Sequence, residues 1–286
     1  MTKSKFQLVG SLLRPADLRK YKDEIEHRDD IQYPFYDALP GYQETETADI
    51  KQIVADQKAN GIDILTDGEF GRSMWHLDFV WGFKGIERYI AEHGYTFKDH
   101  DGGQYDDCLW ELFDPSNPAS FFAEGNSDLA ELADEFVAIN NEVVDYAHEI
   151  GLTVWTHNCR GNYESRSAAE GTYEAIAKKF LAEQHYDRFF LEWDSDTAGD
   201  IKALEALKDS KAEVVLGLLS SKTTELDDEE RVLDLLEKAS EILPKERLFL
   251  SHQCGFASCD SGNELATPQQ WAKIKQGQEI AKKFFG

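Results

Sequence analysis

Two histidines in this chain each stand two residues before a cysteine: His157 and Cys159 in "THNCRGNY", and His252 and Cys254 in "LSHQCGF". Imidazole nitrogen and thiolate sulfur are ligands that zinc prefers, and sulfur suits a metal that must also take a second thiol. Side chains two apart on a strand share a face, so either pair could present both ligands together. A single such pair is more often a packed cysteine beside a hydrogen-bonded histidine. Two of them, each closing an apolar run, favour a metal. "FFLEWDSD" adds Glu192 and Asp194 straight after a third apolar run. Acids in that place also suit the start of a following helix, a reading as good as a site role for Asp194 and weaker for Glu192.

The runs that end in these residues belong to an alternating pattern. "FQLVGSLL" and "IDILTDGE" read as strands, separated by a helix over "ETADIKQIVADQKANG" with Ile50, Ile53, Val54 and Gln57 on one face and Asn60-Gly61 as its stop. "DLAELADEFVAINNEVVDYAHEIG" carries Leu129, Leu132, Phe136, Ile139, Val143 and Ile150 at helical spacing. The strand "LTVWTHNC", a helix near 171–184, the strand "RFFLEWD", a further helix, and the strand "EVVLGLLSS" follow. "DDEERVLDLLEKASEIL", the strand "RLFLSHQC" and a last helix opening with Thr267, Pro268 and Gln270 as a capping box complete the order. Strand and helix in repetition imply parallel strands joined by crossovers. The polar groups "GS", "DGE", "HNC", "EWD", "SSK" and "HQC" fall at strand C-termini, where (β/α)8 barrels and open parallel sheets place their sites.

No linker or break in composition divides residues 1–286, so one domain is expected. Strands ending at Ser11, Glu69, Asp107, Cys159, Glu192, Ser221 and Cys254 are one short of the eight of a closed barrel, and Trp81 to Ser127 shows little periodicity. A hydrophobic content of 41% is enough for a real core, and a net charge of −25 disfavours nucleic acid and anionic membrane as partners. "MTKSKFQLVG" has no apolar leader, and no run approaches the ~20 residues that span a bilayer. Cys108, Cys159, Cys254 and Cys259 are too few for a disulfide framework and should be thiols or ligands in a soluble, cytoplasmic protein.

Taken together, "LVGSLLRP", "LTDGEFGR", "YDDCLW", "HNCRGNY", "FFLEWDSDTAGD", "VVLGLLSSKTTELDDEE" and "LSHQCGFAS" resemble the catalytic barrel of cobalamin-independent methionine synthase, and most of all the short bacterial members that hold only that half. The resemblance runs nearly end to end. It implies a (β/α)8 TIM barrel that binds Zn2+ and moves a methyl group from 5-methyltetrahydrofolate to the thiol of homocysteine, forming methionine. It further implies zinc ligands His157, Cys159, Glu192 and Cys254, with Ser11 on the amino-acid carboxylate and Glu69 and Asp106 on the ammonium. Those types suit a zwitterion. Glu192, the oxygen ligand, would be the one to give way to an incoming thiol.

The chain departs from the family at three places. Ser220 or Ser221 stands where a proton-donating histidine is expected, which opens a second reading with another methyl donor, such as a corrinoid protein. His252 stands where short members carry proline and could compete with Glu192 for the metal. Between residues 98 and 106 one βα unit is missing or shortened. The junction "KDHDGGQYDDC" lacks the apolar run that should precede Asp106, which favours omitted residues over a true deletion. Without that unit, a zinc barrel that binds a thiol or amino acid without turnover is the rival reading. Arg72, Arg160 and Lys222 could meet the anionic tail of a folate, or be solvated loop charges.

Overall fold

The computed structural model describes residues 4–26, 36, 39–75, 77–84, 96–98, 104–106, 129–169 and 171–286, with backbone alone at 77, 96–98, 104–106 and 129–132. Its helices are α1 (Ala16–Glu26), α2 (Tyr42–Ala59), α3 (Leu77–Val80), α4 (Leu129–Glu149), α5 (Tyr173–Ala177), α6 (Glu229–Ile242) and α7 (Thr267–Phe285). Its strands are β1 (Thr96–Lys98), β2 (Gln104–Asp106), β3 (Trp155–Asn158), β4 (Arg188–Glu192), β5 (Glu213–Leu219) and β6 (Leu248–His252). Strands β3, β4, β5 and β6 lie side by side in sequence order, all parallel. This is an α/β fold on a parallel sheet, as the alternation predicts.

The register sorts the two faces. Phe189, Leu191, Val214, Leu216, Leu248 and Leu250 join the large core that α6 and α7 cover. Phe190, Val215 and Phe249, aligned across three strands, form a smaller cluster on the opposite face with Val9 beside it. His157 pairs with Phe190, and Glu192 with Gly217, so the opposite face carries both candidate ligands.

Elsewhere the expectations need correction. "FQLVGSLL" contributes only an isolated parallel bridge, Phe6 to Leu250, in place of a strand. "IDILTDGE" forms no ladder: Thr66 closes onto Gln57, its N–H donating to Gln57 Oε1 (3.0 Å) and its carbonyl accepting from Gln57 Nε2 (2.7 Å). The expected strand into Asp107 is β2, an antiparallel hairpin with β1, and Asp107 itself lies outside the described residues. Among the described residues the parallel sheet therefore has four strands plus one bridged segment. The helix expected before β5 is 3-10 over Ile201–Leu207. In α7 the cap is Ala266, whose N–H donates to Gln269 (2.7 Å), while Gln270 Oε1 accepts from Leu13 N–H (2.8 Å) and so anchors the segment after Ser11. No helix among the described residues is long and apolar enough to cross a membrane.

Candidate metal centre

Four donors converge where β3, β4 and β6 end. A nitrogen of His157, the sulfurs of Cys159 and Cys254 and a carboxylate oxygen of Glu192 all lie within 4.8 Å of one another. His157 sits on β3; Cys159 follows its end, with Gly161 N–H donating to the sulfur (3.3 Å). Glu192 closes β4 at 1% exposure, and its backbone N–H donates to the hydroxyl of the fully buried Tyr173 (3.0 Å), whose ring stacks on Trp193. Cys254 follows β6 on a loop pressed against the "GS" segment, where a Cβ on Gly255 would collide with the Ser11 hydroxyl. That collision explains why glycine follows the cysteine.

The donor set fits a tetrahedral ion. Two sulfurs ~2.3 Å from zinc at a tetrahedral angle lie ~3.8 Å apart, and Cys159 and Cys254 are separated by 3.8 Å. His157 Nε2 is 3.9 Å from Glu192 Oε1, and both ring nitrogens of His157 are buried without a hydrogen-bond partner. Orphaned buried nitrogens are costly unless something else satisfies them. The electrostatics agree. The hydrogen bond from Cys159 pulls the Cys254 thiol down, and the same bond pushes Cys159 up. Burial, reinforced by the charge of Cys254, raises the Glu192 carboxyl to about 7. Anionic donors crowded into one sphere repel until a cation joins them.

His252 is not part of this sphere. Strand β6 ends at that residue, so the alternation that would bring it beside Cys254 stops there. It packs instead on the helix side of the sheet, edge-on to Phe6 (5.7 Å) and Phe256 (4.8 Å). Asp194, half-buried beyond the strand end, also stays outside the ligand set.

Ser11 and Glu69 form a second group next to the first. Ser11 is buried, its Oγ accepting from Ala257 N–H (3.3 Å) and its carbonyl from Phe256 N–H (2.9 Å). Glu69 follows Gly68 in a turn where both adopt positive φ, 70° and 58°, a conformation an acidic residue holds only under constraint. Asp67 Oδ1 accepts from Glu69 N–H (2.7 Å) and Gly68 O accepts from Leu12 N–H (3.1 Å). A Cβ on Gly10 would meet Glu69 Oε1 at 2.5 Å, so the "GS" glycine makes room for the carboxylate. That carboxylate pairs with Arg72. Burial raises it and the Cys254 charge adds to the shift, against the lowering effect of Arg72 and Arg14. Asp106 ends β2, and its side chain lies outside the described residues.

Ser221 ties the end of β5 to the loop after β6. Its hydroxyl donates to Gly255 O (2.8 Å) and accepts from Gln253 Nε2 (3.0 Å), fully buried. Ser220 Oγ accepts from Lys222 N–H (3.2 Å). Lys222, 7% exposed, donates to Ser167 Oγ (3.1 Å), and its charge favours ionised Glu192. Arg160 donates its backbone N–H to Glu192 Oε1 (3.2 Å) and lays its guanidinium over the Tyr173 ring. Sequence reasoning gave no role to Tyr173 or Arg14, and it placed Gln57 on the packing face of its helix without its hydrogen bonds to Thr66.

No family model matches the chain. Two uncharacterized proteins of Bacillus subtilis (strain 168), YxjH and YxjG, are each 29% identical to it, over 96% of this chain and 92% of their own. The YxjH match spans 357 aligned residues, more than the 286 of this chain, so that relative carries residues opposite which this chain has none. A Listeria monocytogenes structure provisionally described as a vitamin-B12 independent methionine synthase superposes with TM-score 0.57 at 21% identity, covering 98% of this chain and 97% of that one. A B12-independent methionine synthase from Shewanella sp. W3-18-1, in complex with selenomethionine, superposes with TM-score 0.61 at 17% identity, covering 99% and 98%. At these identities the likeness establishes the fold.

Proposed function

We propose that this protein is a methyltransferase acting on the thiol of homocysteine, built on a (β/α)8 barrel lacking one βα unit, with zinc held by His157, Cys159, Glu192 and Cys254. The observation that carries the reading is the convergence of two thiols, an imidazole and a carboxylate within 4.8 Å at the ends of three strands. Zinc bound there would supply the Lewis acidity that keeps a substrate thiol in its nucleophilic, deprotonated form near neutral pH.

The remaining work falls to side chains. Glu69, half-buried and with its carboxyl raised, gains from a cation and would accept the substrate ammonium, in competition with Arg72. Ser11 uses a lone pair on Ala257 N–H and keeps its own proton to donate to the substrate carboxylate. Asp106 is a further ammonium partner on the family resemblance alone. Lys222 and Arg160, both beside Glu192, are cations near the centre for an anionic donor such as the glutamate tail of 5-methyltetrahydrofolate. The longer aligned span of the relative supports a missing unit.

A donor other than folate is favoured by one observation: of the two serines where a histidine is expected, Ser221 has its hydroxyl proton committed to Gly255 O. Zinc-loaded protein given homocysteine with 5-methyltetrahydrofolate, its triglutamate or a methylated corrinoid separates these readings. Methionine formed from folate, and lost in Cys254→Ala, is the expected result. Methionine from the corrinoid alone replaces the donor. Zinc bound with no methionine from any donor leaves a thiol-binding barrel.

A further inference from the structure

Arg14 lies three residues after Ser11, in "GSLLRP", with 6% of its side chain exposed. Its Nη1 donates to the carbonyls of Ala257 (2.5 Å) and Cys259 (3.2 Å). Its Nη2 donates to those of Glu69 (2.8 Å) and Arg72 (3.3 Å). The four acceptors come from only two loops. One is the turn that carries Glu69, and the other is the loop that carries Cys254. Asp260, also buried, supplies the counter-charge that makes a buried guanidinium tolerable. Among the described residues the loops also meet through Ser11 and Leu12, through an isolated antiparallel bridge between Met74 and Cys259, and through Ser73 on the Asp260 carboxylate.

A guanidinium is a rigid plane with several fixed donors, so a displacement of one pair of carbonyls is passed to the other pair. Drawing Cys254 into a coordination sphere would restrain the loop that follows it, and the carbonyls of Ala257 and Cys259 with it. On the far side, Glu69 sits at φ 58°, a conformation that persists only when its surroundings impose it. We propose that Arg14 is a positioning residue that couples metal occupancy at Cys254 to the shape of the Glu69 turn, so that a loaded centre is also a preorganised amino-acid pocket. The proposal rests on the functional reading above.

Amide hydrogen exchange of residues 66–72, compared between metal-free and zinc-loaded protein, reads the coupling without any turnover. Zinc should slow exchange in the wild type by about tenfold, within the usual range for coupled sites. The same zinc should tighten binding of norleucine, which matches methionine in length but offers the metal no sulfur. Arg14→Met and Arg14→Lys should both bind zinc and both lose the two responses, the lysine variant because it keeps the charge without the fork. Equal exchange in loaded and metal-free wild type, a comparison that needs no variant, overturns the proposal, as does an undiminished response in folded Arg14→Met. A wild type that takes no zinc overturns the functional reading as well, whereas zinc binding with a silent turn overturns this proposal alone.

Discussion

Glu192 and Glu69 are both carboxylates beside the same cysteine, yet they are held in different ways. Glu192 ends β4, a strand with parallel partners on both sides and every residue buried, so its place is set by the backbone ladder. Glu69 stands on backbone with no ladder. Side chains hold it: Gln57 on Thr66, Thr66 on Gly10, Asp67 on its own N–H and Arg14 on its carbonyl. The metal pole is therefore anchored in the sheet at His157 and Glu192, with Cys159 and Cys254 just past strand ends, while the amino-acid pole rests on a few polar contacts. Substitutions should separate the two.

The largest effect is expected in the sheet. Leu216 is fully buried on β5, and Leu216→Ala should cost ~2–5 kcal/mol in urea unfolding, with both poles lost together. Next comes Lys22, near Arg14, with no exposed surface and its amine 3.5 Å above the Tyr36 ring. Burial, then the charge of Arg14, lowers its pKa from 10.5 to about 7. Between pH 7 and 10.5 the unfolded chain holds more protons at this residue than the folded one, so folded stability from this group rises with pH across that window. Below pH 7 the full cost of burying the ammonium applies. Lys22→Met should then stabilise the protein by roughly 2–4 kcal/mol at pH 6, with the gain shrinking toward pH 10.5. A gain independent of pH would show that the amine is not the cause. Gln57→Leu leaves the N–H and carbonyl of Thr66 unmatched and should cost ~1–3 kcal/mol. Zinc content should survive that change while homocysteine binding weakens. If metal content falls equally, the two poles are not separable.

The smallest expected effect shows what sequence periodicity encodes. Helices α4 and α6 have apolar stripes of the same kind. On α6 the stripe is buried at Val232, Leu236 and Ala239. On α4, Ile139, Val143 and Tyr146 are 59–65% exposed, Ile150 just past its end is 58% exposed, and Val144 is buried. Helix α6 has β5 and α7 to cover it, whereas α4 precedes β3, the edge strand of the described sheet. The pattern encodes a face, but not how much of it a neighbouring layer covers: among the described residues α4 meets mainly the turn at Lys178–Ala182 and the residues next to it. Ile139→Gln should change stability by less than ~0.5 kcal/mol.

The same logic divides what was legible. That His157, Cys159, Glu192 and Cys254 come together was legible because each candidate donor closes an apolar run that became a strand or its immediate end, while the choice of these four came from the family resemblance. His252 misled because β6 stops at that residue, and a side-chain period of two says nothing about where a strand ends. The strands expected at "FQLVGSLL" and "IDILTDGE" failed for the complementary reason: a strand needs a partner, and among the described residues the first finds a single bridge while the second is held by Gln57. The contacts of Arg14 and Tyr173 join residues far apart in the chain, and no local pattern announces them.

X-ray absorption at the zinc edge, on protein loaded with one equivalent of zinc, tests the central claim most directly. A shell of two sulfurs at ~2.3 Å and two nitrogen or oxygen neighbours at ~2.0–2.2 Å is the predicted result, with one sulfur lost in Cys254→Ala. A shell without sulfur, or folded protein that retains no zinc, would contradict it.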